Sequence, residues 1–252
     1  MCFATAVHPA RVTAPSSGIV LLDTLRCVTS AADRTEALAA AAREASACVR
    51  CAQLAAARTQ VVFGTGAADA ELMLVGEAPG RAEDEQGVPF AGRAGALLDE
   101  LLAGIGLDPG AVFVTTALKC RPPGNRDALP GELANCQGWL HRQVELVRPR
   151  LVCALGNQAT RLLRGGPEPV TRVRGRDEIR VVGGRAVRVL PLLHPAAALY
   201  APPLLDALRA DFARIPELLA LPEPEQPGPP AVPEKPPVSP DPPGPDAQLG
   251  LF

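Results

Sequence analysis

The amino-acid sequence predicts an α/β fold, a three-layer sandwich in which helices flank a central, mainly parallel, four-stranded sheet, with disordered segments at both ends. Short apolar runs typical of buried strands alternate along the chain with segments of helical period. Hydrophobic residues make up 47% of the 252 residues, enough for a sizeable core. Beyond residue 220 the composition changes, since 12 of the 28 prolines lie there.

The predicted elements follow one another in a regular order. Residues 1–32 show no sustained period, and the alanine-rich stretch 35–48 has a helix composition. Apolar runs predict strands over 71–76, 112–118 and 151–155, and a hairpin at Gly183-Gly184 that leads into a last strand within 181–193. Apolar residues at helical spacing predict helices over 94–105, 131–147, 157–163 and, interrupted at Pro202-Pro203, 196–220.

This order divides the chain into a poorly ordered leader (1–32), one folded domain (33–220) and a tail (221–252) that resembles an extended, disordered linker. The whole chain has 25 basic and 27 acidic residues, a balance that argues against nucleic-acid binding. The tail, however, holds five acidic residues and one lysine, so the first 220 residues hold 24 basic and 22 acidic groups. Nucleic-acid binding by the folded domain is therefore not excluded.

The sequence gives no sign of a membrane or secreted protein. It contains no run of about 18 apolar residues, the length that a membrane-spanning helix needs. The N-terminus lacks a basic region followed by an apolar run and a cleavage site. We therefore expect a cytoplasmic protein without a membrane partner, whose cysteines stay reduced and serve a metal or catalysis.

Several motifs follow directly after predicted strands. They are the turn Gly76-Glu77-Ala78-Pro79-Gly80, the segment 119–126, Gly156 and His194. Because ligands of parallel sheets bind beyond the carboxyl ends of the strands, we expect these motifs to meet at one rim of the sheet.

Four cysteines are spaced as a possible metal site. Cys48 and Cys51 form a CxxC pair, and Cys120 and Cys136 follow later in the chain. Zinc and iron–sulfur clusters both accept four thiolates, so the spacing leaves both open. The wide separation of the second pair favours a cluster.

Together these motifs resemble family 4 uracil-DNA glycosylases over roughly residues 45–218. The resemblance is carried by GEAPG at 76–80, Glu83-Asp84, GVPFAG at 87–92, Ala94-Gly95, Leu97-Leu98-Asp99, KCRPPGNR at 119–126, Arg174-Gly175 and His194-Pro195. It implies hydrolysis of the N-glycosidic bond of deoxyuridine in DNA, giving uracil and an abasic site as the first step of base excision repair. With this resemblance we expect a monomer that associates with the nucleoid. Two alternatives remain: a non-catalytic iron–sulfur protein that binds DNA or acts as a scaffold, and a glycosylase with another damaged-base preference.

The resemblance also implies roles for single residues. His194 matches the catalytic histidine, which stabilises the departing uracil anion, and Glu77 matches the acidic residue of the pocket. Phe90 matches the aromatic residue that stacks on uracil. The remaining substrate-binding positions are Gly76, Ala78, Pro79, Gly80 and Thr116. At Thr116 the family often has an asparagine that reads the uracil edge, and a hydroxyl cannot match the two-point contact of an amide.

Further positions concern DNA and the cofactor. The expected DNA-contacting residues are Arg121, Arg126, Arg174 and Leu199, the last near the place where superfamily members insert an apolar wedge. Cys48, Cys51, Cys120 and Cys136 fall where the family holds a 4Fe–4S cluster, which the resemblance implies to be structural.

The C-terminus carries a separate signal. Residues 248–252, QLGLF, resemble the peptide by which bacterial repair proteins dock on the sliding clamp, with Gln248, Leu249, Leu251 and Phe252 as the contact positions. A proline-rich tether would give such a peptide reach and raise its effective concentration. Glycine at its third position departs from the more usual serine or aspartate.

Overall fold

A computed structural model describes residues 30–228. The helices are α1 (Ala31–Ser46), α2 (Ala52–Ala57), α3 (Arg81–Gln86), α4 (Arg93–Gly104), α5 (Pro130–Val147), α6 (Asn157–Arg164), α7 (Val170–Val173), α8 (Pro195–Ala198), α9 (Pro202–Phe212) and α10 (Ile215–Ala220). The strands are β1 (Thr65–Gly66), β2 (Leu72–Gly76), β3 (Phe113–Thr116), β4 (Leu151–Leu155), β5 (Glu178–Val182) and β6 (Arg185–Leu192). The clamp-like peptide and most of the leader lie outside the described residues.

The described strands form one sheet in the order β1-β3-β2-β4-β6-β5. The four central strands are parallel, as the alternation of strands and helices predicts. The expected number of four strands is wrong, because β1 and β5 add an antiparallel strand at each edge. β1 has only two exposed residues and hence no apolar pattern, and β5 is the first, largely exposed strand of the predicted hairpin.

The sheet lies between two helical layers, which confirms the three-layer fold. In β2, Met73 and Val75 face a core shared with α1 and α5, whereas Leu72 and Leu74 face a core shared with α4, α9 and α10. This alternation follows from the two-residue period of a strand. No helix within residues 30–228 has both the length and the apolar character that crossing a membrane requires.

The described chain extends beyond the boundaries proposed for the folded domain. Ser30 caps α1 by accepting from the Asp33 N–H, and the Asp33 carboxylate accepts from the Ser30 N–H. Past residue 220, Glu223 pairs with Arg185 at 2.9 Å, and the Gln226 amide bonds both main-chain groups of Ala186. The first residues of the predicted tail therefore pack against the start of β6.

Candidate active site and cysteine site

A hollow of about 210 Å³ lies at the carboxyl ends of the central strands. It is lined by Ala78, Gly80, Glu83, Phe90, Ala94, Thr116, His194 and Ala196. The rim expected from the sequence therefore brings together the GEAPG turn, the GVPFAG segment, the end of β3 and the histidine after β6. The volume suits a single nucleobase, whose faces would meet apolar side chains.

Phe90 is held in place by two glycines. Its φ of 56° lies in the left-handed region, which non-glycine residues seldom adopt. A Cβ on Gly76 would lie 2.8 Å from the Phe90 ring, and a Cβ on Gly95 would lie 1.6 Å from the Phe90 carbonyl oxygen. The Phe90 ring lies nearly parallel to that of His194, with 5.6 Å between centroids and 18° between planes.

His194 presents a neutral imidazole to the hollow. Its Nδ1 accepts the Ala196 N–H at 3.1 Å and thereby caps α8. Burial lowers the pKa of His194 below its usual value, and the Glu83 carboxylate opposes this shift. With Nδ1 acting as acceptor, the proton of the neutral ring sits on Nε2, which is then available as a donor.

A second hollow of about 270 Å³ adjoins the first. It is lined by Glu77, Ala78, Pro79, Gly80, Pro122, Asn125, Arg126, Asp127 and His194. Burial raises the pKa of the Glu77 carboxyl, the Ala128 N–H that Glu77 accepts at 3.4 Å lowers it, and Asp127 raises it further. His194 thus stands between a base-sized hollow and a hollow that contains a carboxylate.

Thr116 lines the first hollow, but its hydroxyl proton is already used. The side chain is buried, and its Oγ1 donates to the Leu118 carbonyl at 2.5 Å. A hydroxyl has one proton, so Thr116 can offer a ligand only an accepting lone pair. Residues 76 and 77 pair with the adjacent main chain through the Ala117 and Leu118 N–H groups, which fixes this turn.

The expected DNA-contacting arginines differ in their surroundings. Arg121 lies on an exposed loop, where its Nε donates to Asn125 at 2.6 Å. Arg126 forms a two-point ion pair with Glu132 at the wall of the second hollow. Arg174 pairs with the Asp211 carboxylate at 2.8 Å and donates to the Ala207 carbonyl, contacts that join the segment before β5 to α9. These contacts give Arg174 a role within the fold.

Leu199 is also held within the fold. It is partly buried and packs against the core of α4 and α9, which does not suit a wedge directed at DNA. The next residue, Tyr200, has 79% of its surface exposed. The guanidinium of Arg93 lies over the Tyr200 ring, 5.7 Å from its centroid.

Sequence reasoning missed several residues of the site. Glu83, Ala94 and Ala196 line the base-sized hollow, and Glu83 also accepts the Gly80 N–H at 3.0 Å. The spacing of Gly80 and Glu83 is the available signal, because an acidic residue three positions after a helix N-cap often bonds back to it. The two alanines carry no chemical signal, so only the fold reveals them.

The four cysteines of the expected cluster occupy one region. Cys120 and Cys136 are buried in the core of α1 and α5, and Cys48 and Cys51 pack against that core. Three N–H donors point at sulfur, from Arg58 to Cys120 at 3.2 Å, from the Lys119 main chain to Cys136 at 3.3 Å, and from Asn135 to Cys51 at 3.7 Å. Within residues 30–228, no three His, Cys, Asp or Glu side chains form a group that could hold a single metal ion.

Burial dominates the protonation of these thiols. It raises the pKa of Cys136 to about 11, against the effects of the Lys119 ammonium and main-chain N–H. It also raises the pKa of Cys120, which the Arg58 guanidinium lowers. Four neighbouring thiols, of which Cys120 and Cys136 are buried, match the donor set of an iron–sulfur cluster in number and type.

A buried lysine joins the cysteine region to the base-sized hollow. The Lys119 ammonium donates to the Thr116 carbonyl and to Thr115 Oγ1, both at 2.6 Å, and to Gln143 Oε1 at 2.7 Å. Burial lowers the pKa of Lys119 to about 7. Because Cys120 follows directly in the chain, the position of the cysteine region and the end of β3 are linked through this residue.

Comparison with known proteins assigns the class of this fold and site. The family model described as "Uracil DNA glycosylase superfamily" matches residues 63–215, more than half of the chain. The matched range runs from the loop before β1 to the start of α10, so it includes both hollows.

Curated relatives narrow the assignment. The chain is 41% identical to the type-4 uracil-DNA glycosylase of Archaeoglobus fulgidus, over 72% of this chain and 93% of the relative. It is 40% identical to that of Sulfurisphaera tokodaii, over 71% and 84%, and 41% identical to that of Saccharolobus solfataricus, over 71% and 85%. The chain therefore belongs to the type-4 uracil-DNA glycosylases of this superfamily.

Proposed function

We propose that this protein hydrolyses the N-glycosidic bond of deoxyuridine in DNA, releasing uracil and leaving an abasic site. The observation that carries this proposal is the position of His194, whose Nε2–H borders a base-sized hollow beside a hollow that contains Glu77. The target base must leave the DNA stack to enter such a hollow, where Phe90 offers a face for stacking.

Each group has a step in this reaction. As the bond from C1′ to N1 breaks, negative charge develops on uracil, and the Nε2–H of His194 stabilises it at O2. Positive charge develops on the sugar, and the Glu77 carboxylate stabilises it from the adjoining hollow and orients the attacking water. The water oxygen bonds to C1′ as the C1′–N1 bond breaks, and the proton that this water loses neutralises the uracil anion. No phosphodiester bond takes part, so the strand stays uncut.

The direct test measures uracil release from oligonucleotides that carry one uracil, in single-stranded and duplex form. We expect free uracil and an alkali-sensitive abasic site without strand cleavage by the enzyme. Release of no base would favour the non-catalytic alternative, a DNA-binding or scaffold protein.

One observation favours the alternative that the enzyme prefers a damaged base other than uracil. Thr116 has no free proton for the uracil edge, so discrimination between bases depends more on shape and main-chain groups. A panel of deaminated and oxidised bases, measured beside uracil, tests it. Faster release of another base would show that uracil is not the preferred substrate.

We further propose that Cys48, Cys51, Cys120 and Cys136 hold a 4Fe–4S cluster. Bound there, the cluster supplies a crosslink between the end of α1, the loop after β3 and α5. Cys136→Ser should abolish the broad visible absorbance and lower the melting temperature, while the buried Cys153→Ser should leave that absorbance. A colourless purified protein with stoichiometric zinc would contradict the cluster.

We also propose that residues 248–252 bind the sliding clamp. The chain is described up to Gly228, and Gln226 is attached at the start of β6, whereas His194 follows the end of the same strand. Eight strand residues span about 26 Å, so the tether starts far from the base-sized hollow. Deleting residues 248–252 should abolish clamp capture and leave uracil release from short oligonucleotides unchanged; capture by the truncated protein would contradict the proposal.

A further inference from the structure

Tyr200 and Arg93 form an exposed pair beside the base-sized hollow, hereafter the Tyr200 platform. Tyr200 is the only tyrosine of the chain and is 79% exposed. Its neighbours in sequence and space place it at the rim, because Arg93 precedes Ala94 and Tyr200 comes one helical turn after Ala196, and both alanines line the hollow.

Leu199 and Tyr200 are neighbours in the chain but have opposite surroundings. Leu199 packs into the core, whereas the Tyr200 ring lies in solvent. A large exposed aromatic surface next to a binding hollow is typical of a contact site for a ligand.

The two faces of the Tyr200 ring are not equivalent. The Arg93 guanidinium lies over one face at 5.7 Å from the centroid, a cation–π contact that orients both side chains. A wedge inserted between two stacked base pairs needs both faces of its ring, whereas the Arg93 guanidinium stands on one side of this ring and leaves the other side open. The ring is therefore suited to stack on one base with its other face.

We propose that the Tyr200 platform stacks on the unpaired base of the nucleotide that flanks the target uridine. This inference rests on the proposed glycosylase function. Arg93 begins α4, is exposed, and forms no ion pair within residues 30–228, so its charge is available for the phosphate beside that base. A flanking base that leaves its partner is available in single-stranded DNA and costly in a duplex, so the platform favours single-stranded substrate.

Kinetics of three Tyr200 variants separate stacking from other roles. Tyr200→Phe keeps the ring and should stay within about twofold of wild type. Tyr200→Ala and Tyr200→Leu should each lower kcat/KM on single-stranded DNA by about 10- to 100-fold, the loss expected for one base–aromatic stack. On duplex DNA their loss should be smaller. Val181→Ala, a change at another exposed apolar residue on edge strand β5, should leave both rates unchanged.

Tyr200→Leu distinguishes a stacking platform from a wedge. Leucine has apolar bulk but no flat face, so a wedge role predicts that this variant keeps the wild-type kcat/KM on both duplex and single-stranded DNA. Wild-type kinetics of Tyr200→Leu on single-stranded DNA would overturn the platform. Arg93→Met should reduce single-strand affinity and flatten its salt dependence, because one phosphate contact is lost.

Fluorescence gives a readout that does not depend on turnover. Two oligonucleotides carry 2-aminopurine next to a non-hydrolysable uridine analogue, one on its 5′ side and the other on its 3′ side. Wild type should quench the 2-aminopurine fluorescence of one of them more strongly than Tyr200→Leu does. Equal fluorescence with wild type and variant on both sides would overturn the inference. Failure of the proposed function is distinct, since wild type would then release no uracil at all.

Discussion

At the scale of single residues, the proposed reaction depends on which side-chain protons are free to be donated. His194 uses Nδ1 to cap α8, which leaves Nε2–H as its donor, and burial keeps the ring neutral. Thr116 uses its only proton on the Leu118 carbonyl. His194 therefore has a free donor for the role that we propose for it, whereas the Thr116 hydroxyl has no proton left to donate to a base.

Thr116→Asn should therefore raise the rate of uracil release. An amide offers a donor and an acceptor in one plane and can make the two-point contact that a committed hydroxyl lacks. We expect an increase of about tenfold, the effect of one added hydrogen bond of about 1.4 kcal/mol. Single-turnover rates of the variant measure this increase. Thr115→Asn is unsuitable as a control, because Thr115 accepts from the buried Lys119 ammonium. An unchanged or lower rate would refute the interpretation that Thr116 is a weakened contact.

Glu77 should set the acidic limb of the pH profile. Its carboxylate is the useful form, and its raised pKa means that this form is lost at a higher pH than for an ordinary glutamate. Activity should fall as the pH decreases through that raised pKa. Glu77→Gln should lower the rate and remove this limb. A limb that persists unchanged in Glu77→Gln would assign it to another group.

At the scale of elements, two glycines shape the aromatic wall. Gly76 ends β2 and Gly95 lies in the first turn of α4, and each leaves the space that Phe90 occupies. Glycine inside a helix is unfavourable by about 1 kcal/mol relative to alanine. Gly95 therefore lowers the stability of α4 but leaves the space that Phe90 needs.

Gly95→Ala should lower both stability and activity. The added Cβ would lie 1.6 Å from the Phe90 carbonyl, so Phe90 or the helix must move, at a cost of about 1–3 kcal/mol for overpacking. The matched control is Gly104→Ala in the same helix, where an added Cβ has no neighbour within 4 Å and should be neutral or slightly stabilising. Denaturant unfolding and uracil release measure both variants; equal behaviour would contradict the proposed role of Gly95.

The elements also show what the sequence can and cannot reveal. Apolar runs predicted the four parallel strands, because such strands are buried on both faces. They missed β1, whose two exposed residues belong to the sheet only through pairing with β3. Motifs predicted five of the eight residues that line the base-sized hollow. The platform of Tyr200 and Arg93 was missed, since the two residues lie far apart in sequence and meet only through the packing of α4 and α8.

At the scale of the whole molecule, the base-sized hollow, the cysteine region and the start of the tail occupy different places on one sheet. Lys119 joins the first two, because its ammonium holds the end of β3 while the next residue is one of the four cysteines. The tail begins at the opposite end of β6. The charge follows a similar division, since residues 221–252 are acidic and the first 220 residues are slightly basic.

The most direct test of the central claim is single-turnover release of uracil by wild type and by two His194 variants. Wild type should convert a uracil-containing oligonucleotide to free uracil and an uncut abasic strand. His194→Ala should be slower by about 10²- to 10³-fold, the cost of losing one donor to a developing anion. His194→Asn, which keeps a side chain able to cap α8, should fold as wild type does and also be strongly impaired. A His194→Ala protein that releases uracil at the wild-type rate would contradict the account.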